Sequence, residues 1–127
     1  MKILVIDNDI NINALIKSVL SLEKDFETDF ALSGKEGLKK LKSDHYDVAL
    51  VDLTMPEVTG FDICKFMSAD EDLKKVPAII VSAMPINDKD YQRENNNFQN
   101  LPVVKALLEK PFDVHDLIKK IREVTGK

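Results

Sequence analysis

Four short islands hold the residues best placed to do chemistry: Asp7-Asn8-Asp9, Asp52, Ser82 and Lys110. Each follows a short apolar run: Ile3-Leu4-Val5-Ile6, Val48-Ala49-Leu50-Val51, Ala78-Ile79-Ile80-Val81 and Leu107-Leu108. Continuous apolar runs of this length read as strands buried on both faces. In an open parallel sheet the carboxyl ends of neighbouring strands share one crevice. Carboxylates gathered there suit a hard cation such as Mg²⁺. A hydroxyl and an ammonium beside them suit an oxyanion held against that cation. The set fits transfer of a phosphoryl group to a carboxylate, where positioning and charge neutralisation do most of the work.

The elements that position these groups follow from apolar spacing. Ile12, Leu15, Ile16, Val19 and Leu20 recur at helical period behind Asp9, a capping residue, giving a helix to about Leu22. Phe26 to Ala31 is a weaker second strand. Ser33-Gly34-Lys35-Glu36 has the form of a capping box, with Leu38 and Leu41 on the buried stripe that follows. Pro56 and Gly60 punctuate the loop ahead of a helix carrying Phe61, Cys64 and Met67. A fifth strand starts near Val103, and Asp113 caps a last helix striped by Val114, Leu117, Ile118 and Ile121. Five strands alternating with five helices define an α/β fold, a doubly wound parallel sheet. The stretch from Pro85 to Pro102 has the weakest pattern. Its Asn95, Asn96, Asn97 and Asn100 compete for backbone hydrogen bonds, so a short helix over Asp88 to Glu94 and then an irregular loop are expected, with Ile86, Tyr91, Phe98 and Leu101 to bury.

At 127 residues the chain fits one domain, 1–127, with a single core. A net charge of −4 argues against direct nucleic-acid binding, which needs a basic face. No apolar run reaches membrane-spanning length. The single cysteine, Cys64, has no internal partner, which points to the reducing cytoplasm. It falls on an apolar helix stripe and reads as packing. His45 and His115 lack a second ligand at metal spacing. Lys35, Lys39, Lys40 and Lys42 mark a solvated helix face.

Asp7, then Asp52-Leu53-Thr54-Met55-Pro56 with Gly60, then Ser82, then Lys110-Pro111-Phe112 resemble, in this order, the receiver domain of bacterial response regulators. The resemblance covers almost the whole chain and implies a flavodoxin-like receiver fold that signals and is not an enzyme. It implies Asp52 as the phosphoacceptor for a sensor histidine kinase or a histidine phosphotransfer protein, with Ser82 and Lys110 on the phosphoryl oxygens. It places Mg²⁺ on Asp7 through water, on position 8 and Asp52 directly, and on the Thr54 carbonyl. A cis peptide before Pro111 and a downstream protein target are also implied.

The chain departs from that pattern in informative places. Asn8 stands where the family usually has a second acid, so the Mg²⁺ site is read as weakened. Leu107 occupies a position often aromatic in the family and has no hydroxyl to relocate, which moves attention to the face around Tyr91, Phe98 and Leu107. Met84, two residues beyond Ser82, cannot orient an attacking water as its counterpart can, which implies slow loss of phosphate. The interval from Ser82 to Lys110 is longer than usual and reads as a surface insertion. With the chain ending at Lys127, a stand-alone or relay receiver is expected. These departures keep a second reading open, a phosphorylation-independent pseudo-receiver serving as a protein-interaction module. A flavodoxin-like mononucleotide protein would share the sheet, but Asp7-Asn8-Asp9 replaces the Gly-rich turn it needs. A metal-dependent phosphatase would need a second catalytic acid.

Overall fold

The apolar runs become the strands of one sheet, and the computed structural model describes all residues 1–127. In chain order the elements are β1 (Lys2–Ile6), α1 (Ile10–Leu20), β2 (Glu27–Ala31), α2 (Gly34–Ser43), β3 (Val48–Asp52), α3 (Gly60–Ala69), β4 (Ala78–Ser82), α4 (Lys89–Glu94), β5 (Val104–Glu109) and α5 (Val114–Thr125). Short 3₁₀ turns lie at Leu73–Lys75 and Phe98–Asn100. All pairings are parallel and the strand order is β2-β1-β3-β4-β5. No helix is long and apolar enough to cross a membrane.

Every residue of β3 and β4 is buried, as expected for central parallel strands covered on both faces. Alternate strand residues feed two cores. Leu4, Ile6, Ala49, Val51, Ala78 and Ile80 pack under α2, α3 and the α4 segment. Ile3, Val5, Leu50, Ile79 and Val81 pack under α1 and α5.

The helix starts obey local chemistry, with adjustments. Asp9 accepts from the Asn11 and Ile12 N–H groups, Asp88 from Asp90 and Tyr91, and Asp113 from His115. At α2 only half of the expected box forms: Ser33 Oγ accepts from Glu36 N–H, while Glu36 reaches one residue further back to Leu32 N–H at 3.1 Å. The complete box is at α3, between Thr59 and Asp62. α1 stops at Leu20, and Leu22 beyond it is exposed.

The Asn-rich segment is organised from inside. α4 has six residues, as its composition demands, and Phe98 behind it is buried in the core. Phe98 therefore leaves the proposed partner face, which keeps Tyr91 and Leu107, both half-buried. Gln92 is buried and acts as the local staple: its Nε2 donates to Ile86 O at 2.6 Å and its Oε1 accepts from Gln99 N–H at 3.2 Å. On α2, Lys40 leaves the solvated face to donate to Phe30 O, and Lys42 lies over the Phe66 ring.

Candidate phosphoacceptor site

Sheet register fixes which groups meet. Ile6 pairs with Val51, Asp52 with Val81, and Ser82 with Glu109, so Asp7, Asp52, Ser82 and Lys110 stand side by side at the carboxyl edge. Asp7, Asp52 and Ser82 are all buried, Ser82 completely. Backbone bonds hold the edge together: Lys110 N–H donates to Ser82 O at 2.7 Å, and Asp7 N–H to Ala31 O at 3.1 Å. The Lys110–Pro111 peptide is cis. Gly60 brings the start of α3 close under the site. A Cβ there would lie 2.3 Å from the Asp52 carbonyl oxygen, so no larger residue fits without moving the strand end.

Each side chain has a defined partner. Lys110 Nζ donates to Asp7 Oδ2 at 3.1 Å, a pair largely shielded from solvent. Asp7 Oδ1 accepts from Asp9 N–H at 2.9 Å. Asp52 Oδ1 has only the long 3.4 Å bond from Thr54 N–H. Ser82 Oγ accepts from Met84 N–H at 3.1 Å, which leaves its own proton available to donate. Burial first, and then the neighbouring Asp7 charge, push the Asp52 carboxyl up to about 6, against the pull of Lys110 and the Thr54 N–H. Lys110 thus sits on Asp7, and Asp52 is the under-coordinated carboxylate.

Asn8 and Thr54 are exposed at the rim. No group of three or more His, Cys, Asp or Glu side chains converges at metal-binding distance. Two carboxylates, Asp7 and Asp52, remain at the crevice, with the Asn8 amide and Thr54 carbonyl as neutral oxygen donors. An all-oxygen set of this kind fits a hard cation, with one negative charge fewer than three acids would give. Asp9 is committed to capping α1 and does not replace the missing acid.

Asn13 has no forewarning in the apolar pattern. It is buried in α1, its Nδ2 donates to Asp7 O at 2.9 Å, and its Oδ1 has no partner. It pins the turn that carries Asp7. A polar residue on the inward side of the α1 stripe was the available signal. Cys64 is buried, with its thiol pushed up to about 12 by burial, and His45 and His115 are exposed, so none of the three joins the site.

An open parallel sheet with an acidic crevice at its carboxyl edge and a lysine delivered from the last strand defines a doubly wound α/β domain with its polar site at the strand ends. Residues 3–122 match the family model of the response regulator receiver domain, and the chain belongs to that family. It is 29% identical over 121 residues to the polar-differentiation response regulator DivK of Brucella ovis, covering 94% of this chain and 91% of DivK. It is also 29% identical to the response regulator ArlR of Staphylococcus saprophyticus, spanning half of that protein. Among solved structures, the chemotaxis protein CheY4 of Vibrio cholerae superposes with a TM-score of 0.81 at 25% identity, over 97% of each chain. The response regulator TrrA of Thermotoga maritima, solved in complex with Mg²⁺ and BeF, superposes with a TM-score of 0.79 at 27% identity, again over 97% of each chain. The flavodoxin-like receiver fold and a role in two-component signalling follow from this membership.

Proposed function

We propose that residues 1–127 form one receiver domain in which Asp52 accepts a phosphoryl group, in a Mg²⁺-dependent reaction, from a sensor histidine kinase or histidine phosphotransfer protein. The observation that carries the reading is the unequal pair at the crevice. Asp7 is neutralised by Lys110 at 3.1 Å, while Asp52 keeps one long hydrogen bond and a raised pKa. An under-coordinated carboxylate beside a lysine is a nucleophile with a charge partner at hand.

In this reading an Asp52 oxygen bonds to phosphorus as the P–N bond to the donor imidazole breaks, and the ring nitrogen keeps the electron pair. Lys110 moves from Asp7 to a phosphoryl oxygen, where it acts as a point charge. The Ser82 hydroxyl donates to a second oxygen, and the Thr54 N–H is free to join them. Asp7, Asp52, the Asn8 amide and the Thr54 carbonyl would hold Mg²⁺, which supplies neutralisation of the phosphoryl charge. Asn8 lowers affinity for the ion by removing one charge from the donor set. Met84, exposed and apolar, cannot orient a water, so the adduct is long-lived.

A protein donor fits the surroundings. An apolar groove of about 320 Å³ opens between α1 and α5 beside Lys110, with Ile12, Leu15, Ile16 and Phe112 in its walls. Signalling without turnover of a separate substrate, action in the cytoplasm and a downstream protein target complete the proposal; no basic nucleic-acid face enters it. The absence of a third acid favours a second reading, a pseudo-receiver that binds partners without phosphorylation. Intact mass after incubation with acetyl phosphate and Mg²⁺ separates the two. One phosphoryl adduct, missing in Asp52→Asn, is expected; no adduct at saturating metal and donor would establish the pseudo-receiver.

A further inference from the structure

Asn8, at the mouth of the crevice, is exposed and makes no hydrogen bond within the chain, through its backbone or its side chain. Its placement is therefore set by the peptides on either side. On the far side Asp9 is fixed as the cap of α1, its Oδ1 accepting from the Asn11 N–H at 2.8 Å and the Ile12 N–H at 3.3 Å.

The near side depends on Asn13. The Asp7 carbonyl belongs to the Asp7–Asn8 peptide, and it accepts from Asn13 Nδ2 at 2.9 Å. The other polar groups of Asp7 are engaged elsewhere: its N–H on Ala31 O, its Oδ1 with the Asp9 N–H and its Oδ2 with Lys110. Only Asn13 holds the carbonyl whose plane directs Asn8.

Asn13 does this from a position that suits an apolar side chain. It lies on the inward stripe of α1, ahead of Ile16 and Leu20, and is 6% exposed. Its Oδ1 is buried without a partner. A buried acceptor with no donor weakens a fold. Leucine, branched at the same carbon, would continue the stripe and remove the orphan. Packing therefore does not account for the amide, whereas its satisfied half, the donor on Asp7 O, does.

From this geometry we propose that Asn13 is a positioning residue for the metal-facing loop: its buried amide clamps the Asp7–Asn8 peptide from behind, so that the Asn8 amide stands ready beside Asp7 and Asp52. The proposal rests on the Mg²⁺-dependent reading above. A carboxylate is drawn into place by the charge of a cation. A neutral amide is drawn less strongly, so it gains more from being held in position beforehand. Asn13 touches neither the ion nor the phosphoryl group and acts only through the loop.

The Asn8 amide N–H lies in the clamped peptide, so it reports on the clamp directly. The ¹⁵N-labelled full chain is compared with Asn13→Leu by NMR relaxation without metal, by calorimetric titration with Mg²⁺ alone, and by urea unfolding. The parent is expected to show an Asn8 order parameter of about 0.85, as in rigid backbone, falling below about 0.6 in the variant. Mg²⁺ affinity should drop several-fold in Asn13→Leu, while its urea midpoint stays at or above the parent's because the orphan acceptor is gone. A flexible Asn8 in the metal-free parent would overturn the clamp, even if the variant failed to fold. Unchanged Asn8 order or unchanged Mg²⁺ affinity in folded Asn13→Leu would overturn it too, and would leave the phosphoacceptor reading standing. No Mg²⁺ binding by the parent at any concentration would overturn both.

Discussion

A carboxylate with an acidic neighbour and little water resists ionisation, and Asp52 is the residue where this matters. Its pKa in the folded chain, about 6, lies above its ordinary value of 3.8. The folded state therefore keeps a proton that the unfolded state has lost. The stabilisation from this group is complete below about pH 4 and is lost as pH rises through about 6. Without metal at pH 7, Asp52→Asn is expected to raise stability by ~1–2 kcal/mol, after discounting the shift for solvent screening. The gain should vanish at pH 4; urea unfolding at the two pH values measures it, and an equal gain at both would show that the charge is not the cause. Asn8→Asp restores the third acid, and Mg²⁺ binding, read by calorimetry, should tighten about ten-fold. An unchanged constant would remove Asn8 from the metal site. The groups at the strand ends were legible in the sequence because each follows an apolar run. Their pairing was not: sequence places Lys110 at the crevice but cannot tell that its amine rests on Asp7.

Among the elements, the central strands were the easiest to read, since burial on both faces leaves no polar interruption. The ends of helices were harder. Ser33 and Glu36 fit the capping-box spacing, yet Glu36 reached past Ser33 to Leu32. The Asn-rich segment was read correctly as a short helix and an irregular loop, but Gln92, the polar staple at its centre, was not foreseen. Phe98 was expected to bury, and it does, but it was also counted on the partner face, because no periodicity around it tells how deep it goes. Phe98→Ala is expected to cost about 3–5 kcal/mol, read from denaturant midpoints. A loss below 1 kcal/mol would mean that the segment collapses readily over the vacancy. Tyr91→Phe, which removes only an unpartnered hydroxyl, should leave the midpoint within about 0.5 kcal/mol of the parent.

At the scale of the whole molecule, two cores on opposite faces of one sheet share the same five strands, so neither persists without the other. One cooperative unfolding transition is expected. Cys64 offers a direct probe: it is buried, and its thiol is pushed up to about 12. A thiol reagent at pH 8 should react only at the rate of global opening and slow in step with added stability. Rapid labelling of the folded chain would reveal a local opening of α3. The receiver fold itself was legible at this scale because the alternation of strands and helices leaves few topologies.

Asp7 and Lys110, 103 positions apart, share one hydrogen bond. A polypeptide emerging from the ribosome carries Asp7 from the start, but it cannot offer a finished crevice until the fifth strand docks at the sheet edge. A chain in which β5 has not docked would present these acids with no lysine to offset them. The crevice is therefore a product of the whole sheet, its acidic first strand and its basic fifth strand meeting only once β5 has paired with β4.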